Sequence, residues 1–274
     1  MNDKWLSLSV RGNNDTLEIV SSFFDRYALG SQINSDEVIM YFQIDDKQRV
    51  ENILNHLNSK YNVKSHWGSL KSENWMSNWK DFFTPVSIQE KVLIIPDWDQ
   101  STYAHDYVIK ICPAMAFGTG HHASTQLVIE QMLQYNIGNS NSLLDLGTGS
   151  GILSILAQKM GASEIVSIDI DSVCEENFYQ NCNLSNVPKM NFIVSDVHQY
   201  NNYQYDTILA NIDKHNIIKI LDKYQETDSQ ALLLLAGLLV SDLNDIKACM
   251  KKCYIDTIKQ KDEWISLAIK KNNE

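Results

Sequence analysis

The run Asp145-Leu146-Gly147-Thr148-Gly149-Ser150-Gly151 constrains this chain more than any other stretch. Ser142-Leu143-Leu144 before it reads as the end of a buried strand, and Ile152, Ile155, Leu156 and Met160 after it share one helical face. The glycines therefore occupy a strand-to-helix turn. Glycine tolerates positive φ and has no side chain to block a ligand, so the amides of Gly147, Gly149 and their neighbours are expected to approach a bound molecule. The apolar run Ile165-Val166-Ser167-Ile168 ends in Asp169, 22 residues past Gly147. A second strand would bring that carboxylate to the same sheet edge, where such acids hydrogen-bond ribose hydroxyls.

Two ligand classes share this geometry. A dinucleotide fingerprint needs G-x-G-x-x-G, and the third required position here is Ile152. The chain carries G-x-G-x-G preceded by an acid, Asp145, which resembles motif I of the class I methyltransferases that use S-adenosylmethionine. NAD binding stays open as the second reading.

The 274 residues have room for one large domain and a small one, and 44% hydrophobic with 21% charged residues is globular. A net charge of −11 argues against non-specific contact with nucleic acid or anionic membrane and is compatible with a basic polypeptide partner. No apolar targeting core follows Met1, and the longest apolar run, Ala231 to Val240, is about half a bilayer span, so a cytoplasmic protein is expected. The five cysteines lack C-x-x-C spacing, so neither a disulfide framework nor a zinc site is expected.

Residues 1–66 read as a small domain of βαββαβ-like order, which predicts a ferredoxin-like sandwich. Its first helix is predicted from Asp15 and Glu18 to Gly30, and its second from Lys47 to Tyr61 with Val50, Ile53, Leu54 and Leu57 inward. Residues 67–97 read as a linker, in which Trp75 and Trp79 share a helical face and clamp two domains; Val92 to Ile95 and Tyr107 to Ile111 then read as strands. From 98 to 274 strands and helices alternate: a helix after Ala123, strands ending near Asp169, Asp196 and Asn211, a strand Leu232 to Leu235, a turn at Gly237, and two terminal strands. Repeated βα units closing with a strand pair imply an α/β doubly wound, mostly parallel sheet with an antiparallel edge. Gly147, Asp169, Asp196 and Asn211 are predicted to emerge at the carboxyl ends of its strands, where ligands bind. His121 and His122 are adjacent, so their side chains diverge, and no metal is expected there.

Several of these segments together resemble the PrmA family, the ribosomal protein L11 methyltransferases. The resemblance lies in Phe117-Gly118-Thr119-Gly120-His121, the Asp145 turn running into Ser150-Gly151-Ile152-Leu153, Gly161-Ala162, Asp169-Ile170-Asp171 and Ala210-Asn211-Ile212. It implies a class I, Rossmann-like methyltransferase domain behind a small α+β ferredoxin-like domain. It also implies that Thr125, Gly147, Asp169 and Asn211 hold S-adenosylmethionine, with Phe117 and the loop Gly118-Thr119-Gly120 closing over it. Asp145, Gly149, Ile170 and Asp196 are counted in the same cofactor site, and Asn211 is the catalytic residue. The implied acceptors are lysine ε-amines and the N-terminal α-amine of a ribosomal protein, met free before ribosome assembly and recognised by an N-terminal domain that swings on the linker. A different protein or a small molecule is the alternative acceptor. The chain departs from the family's pattern at Thr148, at Ala123-Ser124-Thr125 and at Ala236-Gly237-Leu238-Leu239. Asp213, where the family has an apolar residue, reads either as a helix cap or as a group that accepts a proton from the amine.

Overall fold

A computed structural model describes residues 4–12, 16–17, 20, 23–24, 28, 30–33, 36–61, 63–71, 83–112 and 118–272. The chain divides into two compact units, Met1–Phe83 and Thr84–Glu274.

In the first unit β1 (Lys4–Arg11), β2 (Gly30–Ile33), β3 (Glu37–Gln43) and β4 (Lys64–Lys71) form an antiparallel sheet of order β2-β3-β1-β4. That is the strand order of a ferredoxin-like sandwich. The period-2 alternation of β1 and β3 puts Leu8, Val10, Val38, Met40 and Phe42 on one face, all fully buried. Val50, Leu54 and Leu57 of α1 (Lys47–Tyr61) close over that face together with Leu17, Val20 and Phe24. Phe42 meets Phe24 and Trp67 edge-on, each with ring centroids 5.9 Å apart. β4 runs on to Lys71, past the domain end read at residue 66, because Lys71 to Gly68 pair with Lys4 to Ser7. Asp15, Glu18, Trp75 and Trp79 lie outside the described residues.

The second unit opens with three strands: the last two match those read at Val92 to Ile95 and Tyr107 to Ile111, and the first falls in the stretch read as linker. β5 (Val86–Ile88), β6 (Val92–Pro96) and β7 (Tyr107–Ile111) form a three-stranded sheet. Its main sheet has seven strands in the order β10-β9-β8-β11-β12-β14-β13. They are β8 (Ser142–Leu146), β9 (Glu164–Asp169), β10 (Asn191–Val194), β11 (Thr207–Asn211), β12 (Leu232–Leu239), β13 (Cys253–Lys261) and β14 (Trp264–Lys271). The helices are α2 (Ala123–Gln134), α3 (Ile152–Met160), α4 (Val173–Leu184), α5 (Lys214–Glu226) and α6 (Leu243–Cys249). From β10 to β12 all neighbours are parallel, whereas β14 pairs antiparallel with both β12 and β13. The reversed strand is thus the inner member of the terminal hairpin, and the edge itself is β13.

This order has a consequence for the site. The chain steps outward from β8 through β9 to β10, then restarts on the other side of β8 with β11 and β12. A crevice opens at such a switch, beyond the carboxyl ends of β8 and β11. Both sheet faces are covered, so the strands read as apolar runs. Leu144, Leu146, Ile208, Ala210, Leu233 and Leu235 join Ile217, Ile220, Leu221 and Tyr224 of α5 in one buried cluster. Each such side chain contributes about 1.5–3 kcal/mol by leaving water. Among the described residues no helix is long and apolar enough to cross a membrane.

Gly237, read from the sequence as a turn, lies inside β12 at a break in the β12–β14 register between Leu235 and Leu238. Its φ is +85°, and a β-carbon there would run into the carbonyl of Ile212, the residue after Asn211. At Gly12 a β-carbon would meet only ordinary contacts at 3.6 Å. Gly237→Ala is expected to lower the unfolding free energy by about 2–4 kcal/mol, and Gly12→Ala by less than about 1 kcal/mol. Denaturant titrations of both variants, giving equal losses, would contradict this account of β12.

Candidate functional site

The turn after β8 donates its amides inward. The N–H groups of Gly147 and Thr148 donate to the Ile168 carbonyl at 2.8 and 3.0 Å, and that of Gly149 donates to Asp169 Oδ2 at 2.9 Å. These bonds draw the end of β9 onto the turn. The expectation that these amides face a ligand is therefore corrected: they are taken up by β9, and Gly147 alone of the turn's three glycines is partly exposed. Gly147, Gly149 and Gly151 have φ of 75°, 54° and 81°. A β-carbon on Gly147 would strike the Ile212 side chain, and one on Gly151 the Phe178 ring. Asp169 Oδ1 also accepts the Asp171 N–H at 3.0 Å. Each carboxylate oxygen has a second lone pair, so Asp169 keeps capacity for hydroxyl donors.

Asp145 sits beneath the turn and is only 1% exposed. Its Oδ2 accepts from the hydroxyls of Thr148 at 2.7 Å and Ser154 at 2.6 Å, and Ser154 lies 2.8 Å from Ser167. Its Oδ1 is buried with no hydrogen-bond partner. Burial pushes the Asp145 carboxyl up to about 6, against the pull of the two hydroxyls, and the nearby charge of Asp169 adds to the rise. Ser154 and Ser167 were not singled out from the sequence; a serine amid the apolar face of α3 was the available signal.

Asn211 ends β11, and its Nδ2 donates to Thr125 Oγ1 at 3.1 Å, joining residues 86 positions apart. Thr125 is fully buried in the first turn of α2. That helix is capped by His122, whose Nδ1 accepts the Ser124 N–H at 3.2 Å while its ring meets Trp264 edge-on at 4.5 Å. Burial holds the His122 ring below its ordinary pKa, with the charge of Glu263 acting the other way. The His121 ring instead has Nε2 3.0 Å from the Thr84 carbonyl and Nδ1 3.3 Å from Thr119 Oγ1.

The loop Gly118-Thr119-Gly120 is tied to the turn by Ser150 Oγ, which donates to the Gly118 carbonyl at 2.7 Å. Gln126 Nε2 holds the carbonyls of Gly120 and His121 at 3.0 and 2.9 Å. Phe117 lies outside the described residues. Asn181, which the sequence did not flag, bridges this region: its Nδ2 donates to the Ser150 carbonyl at 2.9 Å and its Oδ1 accepts the Cys112 N–H at 2.7 Å.

At the ends of β9 and β10, Ile170, Val173 and Val194 are 69%, 53% and 47% exposed. Nearby, Asp196 Oδ1 accepts the His198 N–H at 2.8 Å. Exposed apolar side chains beside a polar rim offer a surface to a flat apolar ligand group. Asp213 caps α5: its Oδ1 accepts the Asn216 N–H at 3.2 Å and its Oδ2 accepts Asn216 Nδ2 at 2.5 Å. Of the two roles open for Asp213, the geometry gives it the cap.

Burial lifts the Asp145 carboxyl in the folded chain to about 6, from the ordinary aspartate value of about 3.8. A raised carboxyl pKa favours folding below the unfolded value and loses that contribution as pH climbs through the folded one. Stability is therefore expected to fall by on the order of 1–3 kcal/mol between about pH 4 and pH 7 on account of this group. Asp145→Asn should remove that slope; chemical denaturation at pH 4.5, 5.5 and 7 with parallel curves for both proteins would refute it.

Comparison with known proteins agrees with this architecture. The family described as Ribosomal protein L11 methyltransferase (PrmA) matches residues 5–272. A ribosomal protein L11 methyltransferase of Bacillus pumilus is 31% identical over 212 residues, spanning 74% of this chain and 67% of its own. One from Pediococcus pentosaceus is 27% identical over 278 aligned positions, spanning 86% and 88%. A crystal structure described as ribosomal protein L11 methylase from Lactobacillus delbrueckii subsp. bulgaricus superposes with a TM-score of 0.64 at 23% identity, over 70% of this chain and all of that one, and attests the fold. With a match that covers nearly its whole length, this chain belongs to the ribosomal protein L11 methyltransferase (PrmA) family.

Proposed function

We propose that this protein transfers methyl groups from S-adenosylmethionine to lysine ε-amines, and to the N-terminal α-amine, of ribosomal protein L11. Family membership supports the reaction class and the cofactor. The Thr125–Asn211 hydrogen bond carries the assignment of the acceptor site.

The residues present fit S-adenosylmethionine on observations of this chain. A buried carboxylate oxygen of Asp145 without a partner suits a positive charge above the turn. Gly147, the partly exposed glycine of the turn, suits close approach of a ligand to its backbone. Asp169 keeps lone pairs for a ribose, Ile170 presents an exposed apolar face to an adenine, and Asp196 stands at the next strand end for its amino group. In this assignment Thr125, Gly147, Gly149, Asp169, Ile170, Asp196, Asn211 and the Gly118–Gly120 loop hold the cofactor, with Phe117 expected to join them.

S-adenosylmethionine supplies an electrophilic methyl group on a sulfonium, open to in-line displacement. The chain's task is to align a neutral amine and exclude water. A free lysine, with a pKa of about 10.4, is nearly all protonated at neutral pH, so a desolvating crevice has to favour its uncharged form. Because Thr125 Oγ1 accepts from Asn211 Nδ2, the other end of the amide, Oδ1, is the one available to an amine N–H. Asn211 thus orients the nitrogen lone pair, and Thr125 keeps the amide from flipping. Asp213 holds the start of α5 through a bond from each oxygen to Asn216, and with that residue assigned to the cap, proton removal is assigned to solvent before the amine is enclosed.

A net charge of −11 supports recognition of a basic ribosomal protein and disfavours direct contact with RNA, so the acceptor is read as the free protein in the cytoplasm before ribosome assembly. Its recognition is assigned to the smaller, N-terminal unit.

Incubation of the protein with labelled S-adenosylmethionine and free L11, or assembled large subunits, followed by mass spectrometry of the label, tests the reading. Label is expected on amines of free L11. Label confined to another ribosomal protein or a small molecule would overturn the acceptor assignment. Asn211→Ala is expected to lower kcat by on the order of 100-fold, and Thr125→Val by roughly 10-fold, since the latter frees the amide without removing it. Steady-state rates equal to the parent in either variant would remove that residue from the mechanism.

A further inference from the structure

The loops after β10 and β11 are joined by a chain of hydrogen bonds that methyl transfer itself does not call for. The His198 N–H donates to Asp196 Oδ1 at 2.8 Å, the His198 ring Nε2 lies 2.6 Å from Asn216 Oδ1, and Asn216 Nδ2 donates to Asp213 Oδ2 at 2.5 Å. One proton arrangement satisfies it. A carboxylate only accepts, so the Asn216 nitrogen faces Asp213, its oxygen faces the ring, and Nε2 of His198 must carry the hydrogen. Nδ1 of the same ring is buried with no partner. A buried nitrogen left unpaired is costly, so the ring is held in place by its bond at Nε2 rather than by general solvation.

The same helix grips that loop a second time. Lys223 Nζ, two turns further along α5, donates to the His198 carbonyl, to the Tyr200 carbonyl at 3.2 Å and to Asn201 Oδ1 at 2.7 Å. The backbone of the 196–201 loop is thereby fixed to α5, and the cap of α5 stands two residues after Asn211. Asp196, on the cofactor side, and Asn211, on the acceptor side, are thus referenced to one helix through the side chains of His198, Asn216, Asp213 and Lys223.

We propose that His198 is a positioning residue: through Asn216 and Asp213 it couples the loop that carries Asp196 to the loop that carries Asn211. This rests on the cofactor and acceptor roles proposed above. A shift of either loop is passed to the other because the imidazole spans them, and coupling of this kind changes affinity at one site on mutation at the other. Asn216 is separated from Asp196 by the ring, so the part of its effect on the cofactor that is exerted through Asp196 travels through His198, beside whatever reaches Asn211 by way of Asp213.

Calorimetric titration with S-adenosylmethionine of the parent, His198→Leu, His198→Gln, Asn216→Ala and the double variant His198→Leu/Asn216→Ala decides this, with thermal melts to verify folding. Leucine fills the space without a donor, whereas glutamine can place its amide N–H near the position of Nε2. Asn216→Ala is expected to weaken cofactor binding roughly 3- to 10-fold, His198→Gln to stay within about twofold of the parent, and the double variant to lose clearly less than the product of the two single losses. Unchanged affinity in Asn216→Ala, additive losses in the double variant, or glutamine as poor as leucine would each overturn the inference. Titration needs no acceptor, so a parent that binds the cofactor yet labels no L11 defeats the functional reading while the affinities still decide the coupling. A parent that binds no S-adenosylmethionine defeats both.

Discussion

The hydrogen bonds from the turn after β8 to the end of β9 are what the site depends on. Three successive amides, Gly147 and Thr148 to the Ile168 carbonyl and Gly149 to the Asp169 carboxylate, bring two strand ends into one structure. That closure demands positive φ at the glycines, and the Ile212 and Phe178 side chains already fill the space β-carbons would occupy at Gly147 and Gly151. Beneath it the Asp145 carboxyl binds the hydroxyls of Thr148 and Ser154 and so anchors turn and helix from below. The acid that precedes the glycines is a foundation of the loop as well as a candidate source of negative charge for a cationic ligand.

The opposite wall is built by different means. β11 and α5 are separated by Ile212 and Asp213, and each residue there has a structural partner: Asn211 is held by Thr125, the Ile212 N–H donates to the Ala236 carbonyl at 3.2 Å, and Asp213 caps the helix. Gly237 completes this wall by leaving room for the Ile212 carbonyl. Rigid placement of one amide is what a displacement reaction needs, because rate is lost steeply when an attacking atom is misaligned by about an ångström.

Much of this was legible in one dimension. The glycine turn and Asp169 declare themselves through local spacing, since a turn between strand and helix is written in consecutive residues, and Asn211 does so as a strand end, whereas Thr125 enters only through the family resemblance. The resemblance to the family rested on those same short segments. Within residues 67–97, read as linker, the strand at Val92 to Ile95 was legible from its apolar run, whereas β5 was not, because it is three residues long and gains its identity only by pairing with β6. Gly237 read as a turn because glycine usually breaks strands, but pairing with β11 and β14 carries β12 through it. Ser154, Asn181 and His198 escaped notice because the partners that give them a role lie up to 69 positions away, and a lone polar residue says nothing of what it will face.

The amino-acid sequence by itself determined the turn, the alternation of strands and helices, and which residue types stand at the strand ends, because each depends on dihedral preference and hydrophobic period within a few positions. Tertiary structure alone decided that the turn's amides point inward to β9, that Asp145 lies under the site with a raised pKa, that Asp213 caps a helix, and that β14 slots between β12 and β13. Hydrogen-bond direction, burial and register are properties of pairs of segments, and they take values only once the sheet has brought those segments together.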